Sequence, residues 1–215
     1  SMLEKLFTLN LVMQLHTNTS NMRTPTHFLT KARTIAVFVL MLSFAFSALA
    51  QDAYKAQKAS VVIKGTSTLH DWEMKGENFS CQSSFTLDDN KVTGVKSLSL
   101  SIPVQSLKSG KGAMDKNAYS ALKADNHKQI TYTINSTKLV GNKLVCSGSL
   151  TIAGVTKAME VESTCTVNAD NTIVCKTSKS FKMTEFKVEP PSFMFGSVTT
   201  GDDITLEFDL TFKKS

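Results

Sequence analysis

Along most of the chain, hydrophobic and polar residues alternate one for one. Leu98, Leu100, Ile102 and Val104 interleave with Ser97, Ser99, Ser101 and Pro103, and Ile204, Leu206, Phe208, Leu210 and Phe212 interleave with Asp203, Thr205, Glu207, Asp209 and Thr211. Successive side chains of a strand point to opposite faces, so a period of two predicts sheet with one dry and one wet face. Weaker alternations run through Val61 and Ile63, Phe79 to Leu87, Ile130 to Ile134, Leu144 to Ile152, Met159 to Val167, and Ile173 with Cys175. Turn residues separate them at Asp88-Asp89-Asn90, Gly141-Asn142, Ala153-Gly154, Asn168 to Asn171 and Gly201-Asp202. Connections this short join antiparallel neighbours and leave no room for crossover helices. About eight strands suit a barrel or a sandwich, and closure leaves no exposed edge. The expected fold is therefore all-β, an antiparallel eight-stranded barrel.

Two segments break the alternation. From Gly112 to Ala124, Met114, Ala118, Tyr119 and Leu122 recur at helical spacing, which predicts one short amphipathic helix. From Met183 to Val198 the chain is rich in Phe and Met and contains Pro190-Pro191, which cannot join a sheet interior; a structured loop is expected.

The first fifty residues differ in character from the rest. Arg23, Lys31 and Arg33 precede the apolar run from Thr34 to Phe46, and Ala48-Leu49-Ala50 follows. Basic, apolar, then small-x-small is the order of a secretory signal peptide, here with cleavage after Ala50. The apolar run is shorter than the roughly 20 residues a membrane span requires, so no stable membrane insertion is expected after its removal. Residues 1–50 are assigned to an upstream segment and signal peptide, and residues 51–215 to one barrel domain exported to the periplasm or the exterior. Without the leader, 20 basic and 17 acidic residues remain, a net charge of +3, and no arginine follows Arg33. That composition gives no footprint for nucleic acid.

All four cysteines, Cys81, Cys146, Cys165 and Cys175, lie after the leader, and no CxxC pair or Cys/His cluster suggests a metal. With export, disulfides are favoured. Cys165 and Cys175 flank an Asn-Ala-Asp-Asn turn and would face each other across a hairpin; Cys146 competes for Cys165 through the turn at Ala153-Gly154, and free buried thiols are the third option. His70 and His127 stand in separate segments, and there is no GxSxG elbow, so no catalytic residue is assigned.

Four blocks in order resemble the YceI-like family of secreted bacterial proteins, also called polyisoprenoid-binding proteins. They are GTSTLHDWEMKG from Gly65 to Gly76, SIPVQSLKSGKGAMDKNAYSALKADNHKQITYTI from Ser101, SGSLTIAGVTKAMEVE from Ser147 to Glu162, and KMTEFKVEPPSFMFGSVTTGDDITLEFDL up to Leu210. The similarity spans Ala59 to Lys214. It implies a lipocalin-like barrel whose interior holds a long isoprenoid chain, with the lipid as ligand, no further cofactor and no catalysis.

An eight-stranded barrel is either filled by its own side chains or just wide enough for one slender ligand. Small residues at Ser83, Gly148 and Ser163 on the dry face suggest room. The expected lining is Leu98, Leu100, Ile102, Tyr132, Ile134, Leu150, Ile152, Phe208 and Leu210, with Trp72, Phe186, Phe193 and Phe195 around a mouth. Lys108, Ser109 and Lys111, ahead of the helix, are candidates for a ligand head group. The alternative is a filled barrel that acts through its surface on a partner. An edge-free barrel suits a monomer or weak dimer.

Overall fold

The first and last long strands, β1 (Tyr54–Ser67) and β11 (Val198–Lys214), pair from Tyr54↔Lys214 to Ser67↔Thr200, and this ladder closes the sheet on itself. The computed structural model describes residues 53–193 and 195–215; the leader assigned to residues 1–50 lies outside them. Between the closing strands run β2 (Trp72–Gly76), β3 (Ser80–Asp88), β4 (Lys91–Pro103), β5 (Leu107–Lys108), β6 (Gln129–Val140), β7 (Lys143–Ile152), β8 (Val155–Val167), β9 (Ile173–Lys182) and β10 (Ser192–Phe193). Every pairing is antiparallel.

These strands form the expected eight staves because two staves are each built from a pair of strands. β3 lies beside the start of β1 (Tyr54↔Ser83) and β2 beside its end (Gly65↔Trp72). Likewise β4 and β5 follow one another along the next stave, interrupted by a 3-10 turn at Val104–Ser106. β10 only extends the upper end of β11. The side-chain pattern is that of a wall: β7 alternates buried and less buried residues throughout, with Leu144, Cys146, Gly148, Leu150 and Ile152 inward.

The two ends of the barrel differ. At the lower end the strands turn tightly, as at Asp89-Asn90, where both residues take positive φ and let Asp88 pair with Lys91. There Tyr54, Phe85 and Phe212 stack edge to face, with ring centroids 5.3 Å and 5.1 Å apart, the geometry aromatic quadrupoles favour. All three are buried, and they seal that end.

The upper end carries both irregular segments. Helix α1 (Gly112–Ala121) is one turn shorter than its apolar spacing suggests, because the chain leaves helical geometry at Lys123, whose φ is 53°. Met114, Ala118, Tyr119, Ala121 and Leu122 pack against the core. The Phe/Met segment forms a 3-10 turn at Met183–Phe186, then passes through Pro190-Pro191 to β10. Phe186 is fully buried and meets Phe181 edge to face at 5.2 Å.

Candidate functional site

Inside the barrel lies an apolar cavity of about 450 Å³. Its floor is Phe85 and Phe212 of the aromatic seal, with Leu144, and its upper rim includes Leu69, Lys111, Pro191 and Phe193. The wall is built by period-two alternation: Leu98, Leu100 and Ile102 from β4, Tyr132 and Ile134 from β6, Leu150 and Ile152 from β7, and Phe208 and Leu210 from β11 all face it. Of the aromatic residues expected at the mouth, Trp72, Phe186 and Phe193 also line the cavity, though Phe186 is an interior plug on Phe181. Phe195 does not. It sits on the turn after β10 with φ 56°, fully exposed at 112%, and points away from the cavity.

Two lining aromatics lie flat over glycines. Tyr132 crosses β7 at Gly148, where a Cβ would stand 2.7 Å from its Cζ, and its hydroxyl donates to Cys146 O at 3.1 Å, with Met159 O at 3.4 Å. The space left by Gly148 is thus filled by the protein's own ring. Burial pushes the Tyr132 phenol up to about 12. Ser83 does not face the cavity either: it is buried, and its hydroxyl donates to Ser97 O at 3.0 Å. Of the three small residues, only Ser163 faces the void. Trp72 covers Gly65, its cross-strand partner, and its indole N–H donates to Thr66 O at 2.9 Å.

The loop ahead of α1 behaves differently from expectation. Ser109 gives both its amide, at 2.8 Å, and its hydroxyl, at 2.6 Å, to the Asp115 carboxylate, so the protein's own anion occupies the donors assigned to a head group. The Ser109 hydroxyl bond is the main reason the Asp115 carboxyl is held below the usual range. Lys108 lies on the outside, where its ammonium donates to the Tyr119 hydroxyl at 2.8 Å; that bond raises its pKa. Of Lys108, Ser109 and Lys111, only Lys111 reaches the rim.

Cys165 and Cys175 are cross-strand partners on β8 and β9 and form a disulfide with a Cα separation of 4.1 Å. Cys146 pairs across the sheet with Val161, four residues short of Cys165, which removes it as a competitor. Cys81 and Cys146 are buried free thiols on the cavity wall. Burial pushes the Cys81 thiol up to about 12 and raises that of Cys146, against a smaller lowering by the Ser163 hydroxyl. His70 aims its ring Nδ1 at the backbone oxygen of Asp71, 2.8 Å away, rather than at a carboxylate.

Several lining residues escaped the sequence reading. Met114, Asn117 and Ala118 of α1, with Leu122 just past its end, form a roof, and beside Ser163 the residues Met159, Thr177 and Lys179 complete the wall on β8 and β9. The last two were legible in principle, since Cys175, Thr177, Lys179 and Phe181 share one parity along β9. Among the described residues, no group of three or more His, Cys, Asp or Glu side chains is placed to hold a metal, and no helix is long and apolar enough to cross a membrane.

The architecture is similar to that of several solved structures. Burkholderia cenocepacia BcnA superposes with a TM-score of 0.62 at 22% identity, over 71% of this chain and 95% of that one. The Campylobacter jejuni YCEI protein gives a TM-score of 0.54 at 20% identity, over 66% and 85%. A polyisoprenoid binding domain from Saccharophagus degradans, implicated in plant cell wall breakdown, gives 0.57 at 12% identity, over 76% and 99%. At these identities the likeness is one of fold. Among curated proteins, none matches the chain by sequence. The pattern of the YceI-like domain matches residues 50–212, about three quarters of the sequence, and the chain belongs to that family.

Proposed function

We propose that this protein is an exported binding protein that holds an amphiphilic isoprenoid lipid, a prenyl phosphate or an isoprenoid quinone, with its tail inside the barrel. The observation that carries the reading is the apolar cavity of about 450 Å³, sealed below by Tyr54, Phe85 and Phe212 and roofed by α1 and the Phe/Met segment. Its size falls among ordinary ligand sites, roughly 300–1,000 Å³. Burying a methylene contributes about 0.8 kcal/mol, so each five-carbon unit adds about 4 kcal/mol before ordering costs, enough for tight binding without a strong polar contact. The fold shared with a polyisoprenoid binding domain supports the ligand class, and the Cys165–Cys175 disulfide supports an oxidising compartment. Binding needs no catalytic residue and no cofactor beyond the lipid. A filled barrel acting through its surface is the alternative, and an empty apolar interior speaks against it.

The test is native mass spectrometry of the protein purified from the exported fraction, followed by organic extraction and identification of what is released. A stoichiometric prenyl lipid is expected. A bare mass that stays unchanged after incubation with prenyl phosphates and isoprenoid quinones overturns the reading.

A further inference from the structure

The barrel wall is not uniform. The β8–β9 ladder stops at Ser163↔Thr177, although β8 continues to Val155 and β9 to Lys182. Above that point β8 pairs only with β7, and β9 only with β11. The 3-10 turn at Met183–Phe186 touches both strands and fills the top of this notch, with Phe186 as its plug.

The wall beneath the plug carries a polar strip in a mostly apolar lining. Ser163 and Thr177 share a hydrogen bond between their hydroxyls across the last pair of the ladder, and Lys179 is the next inward position on β9. All three face the cavity. Thr177 and Phe208 also line a separate concavity on the outer surface, so the wall is one side chain thick there.

Lys179 is half-buried, and among the described residues no carboxylate stands within ion-pair distance of it. Its charge acts weakly on Glu162, whose carboxylate is held chiefly by Lys143 at 2.8 Å. An ammonium facing an apolar space is costly unless an anion or water accompanies it. Lys111, also at the cavity, is exposed at the rim, so it carries no comparable demand. A half-buried lysine one inward position from two hydroxyls on the same cavity wall is a donor set for an oxyanion.

We infer that Lys179, with Thr177 and Ser163, receives an oxyanion of the bound amphiphile at the notch between β8 and β9, and so selects ligands with an anionic head group. This rests on the carrier reading above and deepens it. The tail lies in the apolar cavity, and the head group sits in the side wall rather than at the loop ahead of α1, whose donors Asp115 already fills.

Farnesyl phosphate and farnesol, which share one tail, separate the two ideas when titrated against the full exported protein and followed by native mass spectrometry. Wild type binds the phosphate at least tenfold more tightly, Lys179→Met binds the two alike, and Lys108→Met, changed outside the cavity, keeps the preference. Thr177→Val, a smaller change, weakens the preference and serves if Lys179→Met does not fold. Inorganic phosphate at millimolar concentration leaves the preference standing; its loss there shows a site for free anions and overturns the inference. Equal affinity of wild type for both probes, or a preference that survives in both Lys179→Met and Thr177→Val, also overturns it. If wild type binds neither probe, the carrier reading falls and the inference with it.

Discussion

Gly65→Ala isolates one contact with unusual clarity. A Cβ at position 65 would lie on Cζ2 of Trp72 and 2.6 Å from its Cε2, and the three nearest atoms all belong to the same indole. The ring must therefore move. Overpacking of this kind costs about 1–3 kcal/mol, and breaking the indole bond to Thr66 O adds about 1 kcal/mol. Alanine in place of glycine within a strand returns about 0.5–1 kcal/mol. The net cost is about 1–3 kcal/mol, which lowers the melting temperature by roughly 3–10 °C for a domain of this size. Trp72 is the sole tryptophan, so its emission reports the displacement directly, and the red shift of a ring pushed into water is expected alongside the lower midpoint. In a Trp72→Ala background these three contacts are gone and the same change becomes neutral or slightly stabilising, measured by circular dichroism. If Gly65→Ala destabilises the Trp72→Ala protein as much as it does wild type, the clash is not with the indole and the packing argument is wrong.

Three further substitutions test other contacts in the fold. Replacing Cys165 and Cys175 together by alanine opens a loop with a sequence separation of 10 and lowers stability by about 2.5 kcal/mol in denaturant titration; an unchanged midpoint refutes a structural role for the bridge. Cys81 is held neutral by burial, with its pKa raised to about 12, so its contribution to stability is full below about pH 9 and fades as pH rises towards 12; Cys81→Ala flattens that alkaline limb, and an identical limb in the variant refutes it. Asp115→Ala frees the amide and hydroxyl of Ser109, so amide exchange at Ser109 speeds up and the melting temperature drops; unchanged exchange shows that another group closes the loop.

The staves were legible because each has one dry face, and a period of two survives any local irregularity that preserves parity. The nine wall residues on β4, β6, β7 and β11 follow from parity alone. What parity cannot reveal is depth and competition. Gly148 reads as empty space in a sequence, yet a tyrosine sixteen positions earlier, diagonal to it across the sheet, lies over it. The Lys108 to Lys111 loop reads as an anion site, yet Asp115, one turn into the helix, satisfies its donors first. Both cases concern residues that meet only once the chain has folded.

Lys179 is the converse case, an inward position whose charge interrupts the hydrophobic alternation. Along β9 the inward parity runs Cys175, Thr177, Lys179, Phe181, and a lysine there conflicts with a filled hydrophobic core. A filled barrel would have to desolvate that ammonium among aliphatic side chains without a carboxylate partner, at a cost of several kcal/mol. A barrel that keeps a void beside a notch in its wall does not, since water in the empty state and a ligand oxyanion in the loaded state can each solvate the charge. The position of this one residue therefore ties the interruption of the β8–β9 ladder to the cavity it borders, and under the proposed carrier function the same wall is where one head group is told from another.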